Sequence, residues 1–305
     1  MQETTIAPRA AAELVLSPTN WLDETSKLRT CCDLRLSISQ FTTRRWNMRD
    51  DLVQFARQGV CGIGLWRLKV EECGEEQALE LLKQSGLRAT SLSFAGGFAG
   101  ANGMKFKEAL KDAARSVKLA RRAGSDVLIV TSGDRGAHTS KHAVRNTRHA
   151  LLKLGDYAAR YGVQIALMPL RKAGSRHLSM VHTLDQGLEV LGRVNHPFVK
   201  LAFNTFHLGD TPKLLERIPE IAPQVASVHL SDYVPGASLY EQRCPGDGKV
   251  RLPEIVRAFD QAGYRGAYEL NVWSERLWVS DYNSLLAGSV RYLHEQVLQP
   301  TVSDS

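Results

Sequence analysis

Short β-branched or aliphatic runs alternate with longer stretches of helical period along most of the chain. LRLSIS (34–39) precedes a helical pattern over 49–58, and GIGLWR (62–67) precedes EEQALELLKQSG. ATSLSF (89–94) precedes FKEALKDAARSVKLARRAG, whose final glycine has the place of a C-cap. VLIVTSG (127–133) leads to a helix over 141–161, and VQIALM (163–168) passes through a basic loop to LDQGLEVLGRV. FVKLAFN (198–204) leads to PKLLERI, ASVHLSD (226–232) to LPEIVRAFDQAGY, and AYELNV (267–272) to SLLAGSVRYLHEQVL. Eight strand-then-helix units without a break in composition predict a parallel sheet, and eight is the number that closes into a single (β/α)8 TIM barrel. An open doubly wound sheet is the weaker alternative, because no G-x-G-x-x-G follows the first strand and no half of the chain reads as a separate substrate domain. The expected division is an N-terminal extension over 1–32, the barrel over 33–298 and a short tail over 299–305.

Composition narrows the class. With 305 residues, 43% of them hydrophobic and 23% charged, the chain can bury a large core and is neither disordered nor collagen-like. Its apolar runs are too short to span a bilayer, so no membrane partner is expected. The five cysteines at 31, 32, 61, 73 and 244 show neither a zinc-site spacing nor a disulfide framework, which points to a reduced, cytoplasmic setting. A net charge of +7 and a pI near 9.2 suit anionic partners, although the basic residues are scattered rather than gathered in one tract.

In a barrel of this kind, function sits where strands end. The strand-end groups are Met168, then Asn204 and His207, then His229 and Asp232, then Glu269 and Asn271. The segments TTRRW, GLWRLK, AGGF, IALMPL, AFNTFHLGD, VHLSD, RCPGDGKVRLPEIV and GYRGAYELNVWSE also stand in a telling order. Over about residues 33 to 295 the chain resembles the xylose isomerase-like barrels grouped as sugar phosphate isomerases/epimerases. The resemblance implies a divalent metal held by a Glu ending strand five, an Asp ending strand six, the His of strand seven and a Glu ending strand eight. A Lewis acid on the sugar oxygens with a carboxylate base beside it is what proton abstraction next to a carbonyl requires.

At three of those four positions the resemblance fails. Met168, Asn204 and Asn271 stand where the acids are implied, and only His229 is retained. A thioether and two amides supply neither charge for a hard dication nor a titrating base. No metal cofactor is therefore expected. Mn, Mg, Co or Zn would enter only if that conclusion failed, for example through a shifted site at Glu269, whose ordinary role is a hydrogen-bonded carboxylate inside the barrel. His207 keeps the position that the resemblance associates with substrate. Together with Asn204, Asn271, Met168, Arg243, Arg171, Lys172 and Trp66 it is expected to hold a sugar or sugar phosphate, the arginines and lysine supplying positive potential. Trp273 and Trp278 are further stacking faces, and Asp247 reads as a turn residue.

Four functions follow. The chain is a non-catalytic binder of a sugar-derived anion, a metal-dependent sugar isomerase or epimerase, or a metal-free one using His229, His207 and Asp232 as acid and base. An endonuclease-like repair barrel is the least supported, since the strand ends carry too few zinc ligands, and no nucleic-acid partner is expected. A homodimer is an expectation drawn only from the habit of such barrels.

Overall fold

The structure, a computed structural model, describes residues 33–99, 105–172, 178–236 and 241–298. The expected extension and tail, with Cys31 and Cys32, lie outside them. Strands β1 (Asp33–Ser39), β2 (Val60–Trp66), β3 (Arg88–Gly96), β4 (Val127–Thr131), β5 (Gln164–Leu167), β6 (Val199–Asn204), β7 (Val225–Leu230) and β8 (Tyr268–Leu270) form a closed barrel in sequence order. All neighbours are parallel, and β8 closes on β1 with Leu36 opposite Tyr268 and Ser37 opposite Glu269. Every predicted strand is present, displaced by at most a few residues at its ends.

The helices form where sequence supplies both an apolar face and a stop. Helix α1 (Met48–Arg57) starts at Asn47, whose side chain accepts from the Asp50 N–H while Asp50 reaches back, and it buries Leu52 and Phe55. After it come α2 (Arg67–Cys73), α3 (Glu75–Ser85) and α4 (Phe106–Arg122). Gly124 beyond α4 has φ +76°, so the predicted glycine stop is present. The outer ring continues with α5 (Ser140–Ala159), α6 (Leu184–Val194), the single turn α7 (Thr205–Leu208), α8 (Leu214–Ile221), α9 (Leu252–Gln261) and α10 (Tyr282–Tyr292). Two pieces were not legible: α2, which follows its strand without a loop, and α7, which is too short to show a period.

Alternation along the strands divides the molecule into layers. Leu36, Ile38, Leu128, Val130, Leu201 and Phe203 face the helices and join one large core. The barrel interior has two halves. Over β4–β6 it is apolar, with Val127, Ile129, Ala166, Met168 and Ala202 in one cluster. Opposite, small residues make space for a buried carboxylate: Ser91 and Thr90 donate to Glu269 at 2.7 and 3.2 Å. A Cβ on Gly64 would lie only 2.3 Å from that carboxylate, so any larger residue there would displace Glu269 from its place. No helix of the described residues is long and apolar enough to cross a membrane. Cys61 is disulfide-bonded, which corrects the expectation of unpaired cysteines; such a pairing depends on an approach created by the fold and leaves no mark in the spacing. Cys73 and Cys244 are free.

Candidate functional site: a cavity at the C-terminal face of the barrel

Side chains from the ends of seven strands enclose a cavity of about 380 Å³. Its floor carries Met168, Asn204, His207 and Asn271, which the sequence had singled out, together with Thr131 and Gln242. A larger cavity of about 590 Å³ opens at the opposite face among strand starts such as Arg88, Asp126 and Val225. None of the strand-end candidates lines it, and in barrels of this topology chemistry belongs to the other face.

Most of these residues have a defined setting. Asn204, buried at the end of β6, accepts from the Phe206 N–H at 2.9 Å and so caps α7, which carries His207. Asn271 donates to Ser39 Oγ at 3.0 Å, across the closure of the barrel. Met168 continues the apolar interior of β4–β6 up to the cavity. His207 Nδ1 accepts from the Arg171 N–H at 3.1 Å. Burial, aided by the Arg171 charge and by the proximity of a second imidazole, His229, lowers its pKa to about 3. The imidazole is therefore neutral, and with Nδ1 accepting, its proton sits on Nε2.

The wall is aromatic. Phe41 packs edge-on against Trp66 at 4.7 Å, Trp273 at 4.8 Å and Phe94 at 5.5 Å, and all four rings line the cavity. Trp278 stands behind them, stacked on Trp273 and donating Nε1–H to the Phe41 carbonyl. Sequence reasoning thus found Trp66 and Trp273 but missed Phe41, Phe94, Gln242 and the charged lining residues Arg44, Arg67 and Asp112. Their positions carry the same signal as the others, since Phe41 lies just beyond the end of β1 and Phe94 just before the end of β3.

Several other candidates lie elsewhere. Asp232, proposed as an acid or base, is fully engaged: its carboxylate accepts backbone N–H groups of Tyr233, Gly246, Gly248 and Val250 at 2.8–3.2 Å. It holds the loop containing Asp247 and does not line the cavity. Arg243 is the backbone partner of Asp232, and its side chain does not line the cavity either. Arg171 pairs with Asp210 at 2.9 Å, donates to the Phe206 carbonyl and lies over the Tyr233 ring. Its charge is spent locally, which corrects its assignment as a source of positive potential for the ligand. Lys172 is exposed and outside the lining.

His229 and Glu269 lie in register within the barrel interior, with 3.8 Å between His229 Nε2 and a Glu269 oxygen. Neither nitrogen of the His229 ring has a hydrogen-bond partner among the described residues. Burial pushes its pKa down, the Glu269 charge pulls it up, and burial wins. Among the described residues no group of three or more His, Cys, Asp or Glu side chains is arranged to hold a metal ion.

The sequence profile of the xylose isomerase-like TIM barrel family matches residues 53–296. The chain belongs to this family. Among solved structures, a protein from Sinorhizobium meliloti 1021 is 25% identical with a TM-score of 0.80, over 86% of this chain and 98% of that one. The D-allulose 3-epimerase from Methylomonas sp. in complex with D-allulose is 18% identical with a TM-score of 0.70, over 86% and 97%. The IolI protein, solved with a bound zinc atom, is 17% identical with a TM-score of 0.73, over 85% and 97%. At these last two identities the likeness is one of fold. A search of curated proteins gave no match. Membership of the xylose isomerase-like family confirms the resemblance read from the sequence, and sugar epimerases stand among its structural neighbours.

Proposed function

We propose that this barrel binds a monosaccharide or sugar-derived anion in the upper cavity without a divalent metal, and that it is a non-catalytic member of its family. The observation that carries this is the floor. At the strand ends where the family resemblance places acids, the cavity presents a thioether and two amides, Met168, Asn204 and Asn271. The residues present do not fit a hard dication, which selects anionic oxygens. His229 contributes one neutral nitrogen donor near Glu269, and two groups 3.8 Å apart do not make a coordination shell.

The same inventory speaks against metal-free acid–base work. His229 and Asp232 do not line the cavity, and His207, which does, stays neutral far below physiological pH. What the cavity offers is recognition. Amide groups and an imidazole N–H suit hydroxyls, while the faces of Trp66 and Trp273 suit the C–H surface of a pyranose or furanose. The Methylomonas neighbour, with its bound D-allulose, supports a sugar as the ligand class.

The test is a titration of the chelator-treated protein with a panel of hexoses, ketohexoses and their acids and phosphates, followed through tryptophan fluorescence. At least one member should saturate the signal at micromolar to millimolar concentration in the presence of chelator. Trp273→Ala should weaken that binding about tenfold or more, and no sugar should be converted on prolonged incubation. Epimerisation or isomerisation that appears on adding a divalent cation would overturn the proposal.

A further inference from the structure

Among the described residues, three charged side chains line the upper cavity: Arg44, Arg67 and Asp112. Arg67 and Asp112 cancel, joined by two hydrogen bonds of 2.7 and 2.9 Å in a bidentate pair. Arg44 is different. It is exposed at the rim, and no carboxylate pairs with it among the described residues. Its guanidinium lies 5.6 Å from the Trp66 ring centre and 5.0 Å from that of Trp278, so cation–π contacts hold it in place without neutralising it. With His207 neutral, the described lining of the cavity carries one uncompensated positive charge.

The segment that bears Arg44 is pinned on both sides. Before it, Gln40 bonds to Asp51 and accepts from the Trp66 N–H, while Thr43 donates to Asp51 and its carbonyl accepts from Lys69. After it, the Arg45 N–H donates to the Tyr282 hydroxyl, and Trp46 packs edge-on against Tyr282. An arginine with free donors on so rigid a base loses little freedom when it captures a ligand.

We infer that Arg44 is the anion-recognising residue of this cavity, and that the preferred ligand is a monosaccharide bearing one carboxylate or phosphate, its ring against Trp66 and Trp273 and its anionic group on the Arg44 guanidinium. The inference rests on the sugar-binding proposal and narrows it. A cavity of about 380 Å³ lies near the lower end of small-molecule sites, which favours one sugar unit over an oligosaccharide. Carboxylate and phosphate present the same planar pair of acceptor oxygens to a guanidinium, so experiment separates them.

Calorimetric titration of chelator-treated protein with D-glucose, D-gluconate, D-glucuronate and D-glucose 6-phosphate, alongside Arg44→Gln and Arg44→Lys, provides the test. At least one acid or phosphate should bind ten times or more tightly than the neutral sugar, and whether carboxylate or phosphate does so identifies the group. Arg44→Gln should remove that advantage while leaving the neutral sugar within about threefold, and Arg44→Lys should restore part of it. Arg44 is exposed, so its replacement leaves the fold intact, which a circular dichroism melt of each variant checks. Equal binding of neutral and anionic sugars, or equal weakening of both by Arg44→Gln, would overturn the inference while leaving sugar binding intact. Absence of binding by every sugar in the wider panel would overturn the sugar proposal itself.

Discussion

Replacing Lys69 by methionine is expected to lower the stability of the folded chain by about 3–5 kcal/mol, a fall in melting temperature on the order of 10 °C for a domain of this size. Lys69 and Asp51 are 2% and 0% exposed, and the ammonium donates to the carboxylate at 2.6 Å. Burial raises the Asp51 pKa to about 7 and lowers that of Lys69, with each partner partly offsetting the effect on the other. Without the ammonium, Asp51 keeps only the hydrogen bonds from Thr43 and Gln40.

The pH dependence gives this prediction a signature that a packing defect would lack. Asp51 has a folded pKa above its unfolded value of 3.8, so its contribution is fully present below pH 3.8 and is lost as pH rises through about 7. Removing Lys69 raises the folded pKa further. The deficit of Lys69→Met relative to the parent should therefore be larger at pH 8 than at pH 6 in urea denaturation. Adding Asp51→Asn should recover part of the loss, because an amide retains hydrogen-bonding capacity without a charge. A pH-independent deficit would show that the pair acts only as filler. Ligand affinity should fall with stability, since the same network holds Gln40 and Thr43 on either side of Phe41 and next to Arg44.

The second large effect is a gain. The combined variant Met168→Glu, Asn204→Asp, Asn271→Glu should bind Mn²⁺ or Co²⁺ tightly, with His229, beneath the cavity and opposite position 204 in register, as the fourth ligand that the resemblance implies. Asp at 204 keeps an oxygen for the Phe206 N–H, and Glu at 271 can accept from the Ser39 hydroxyl in place of donating to it. The carboxylate at 168 enters an apolar cluster with Ile129 and Ala166, so the metal-free variant should be less stable than the parent. Metal at a hundred times its dissociation constant should return about 2.7 kcal/mol. A variant that folds yet shows neither binding nor metal-dependent stabilisation would show that these strand ends are not the ligand positions that the family resemblance implies.

The barrel was legible because its signal repeats: eight short apolar runs, each followed by a helical period, leave few other topologies. The strand-end residues Met168, Asn204, His207 and Asn271 were also legible, because the topology alone brings strand ends together. Residues whose role depends on a partner were not. Asp232 looks like a catalytic acid in VHLSD, but its carboxylate accepts from N–H groups as far along the chain as Val250, and no local pattern marks that loop's return. Arg171 was credited to the ligand, though Asp210, Phe206 and Tyr233 claim it. In the sequence Arg44 is one of a run of basic residues, and its distinction, a charge held between two tryptophans with no paired acid among the described residues, exists only in three dimensions.

The most direct test of a metal-independent sugar site is calorimetric titration of the unmodified, chelator-treated protein with Mn²⁺, Co²⁺, Mg²⁺ and Zn²⁺. No stoichiometric binding is expected, with sugar affinity the same whether cation or chelator is present. Tight one-to-one binding of any of these ions, with sugar affinity or turnover rising alongside it, would contradict a metal-independent site and restore a metal-dependent isomerase or epimerase built around His229 and Glu269.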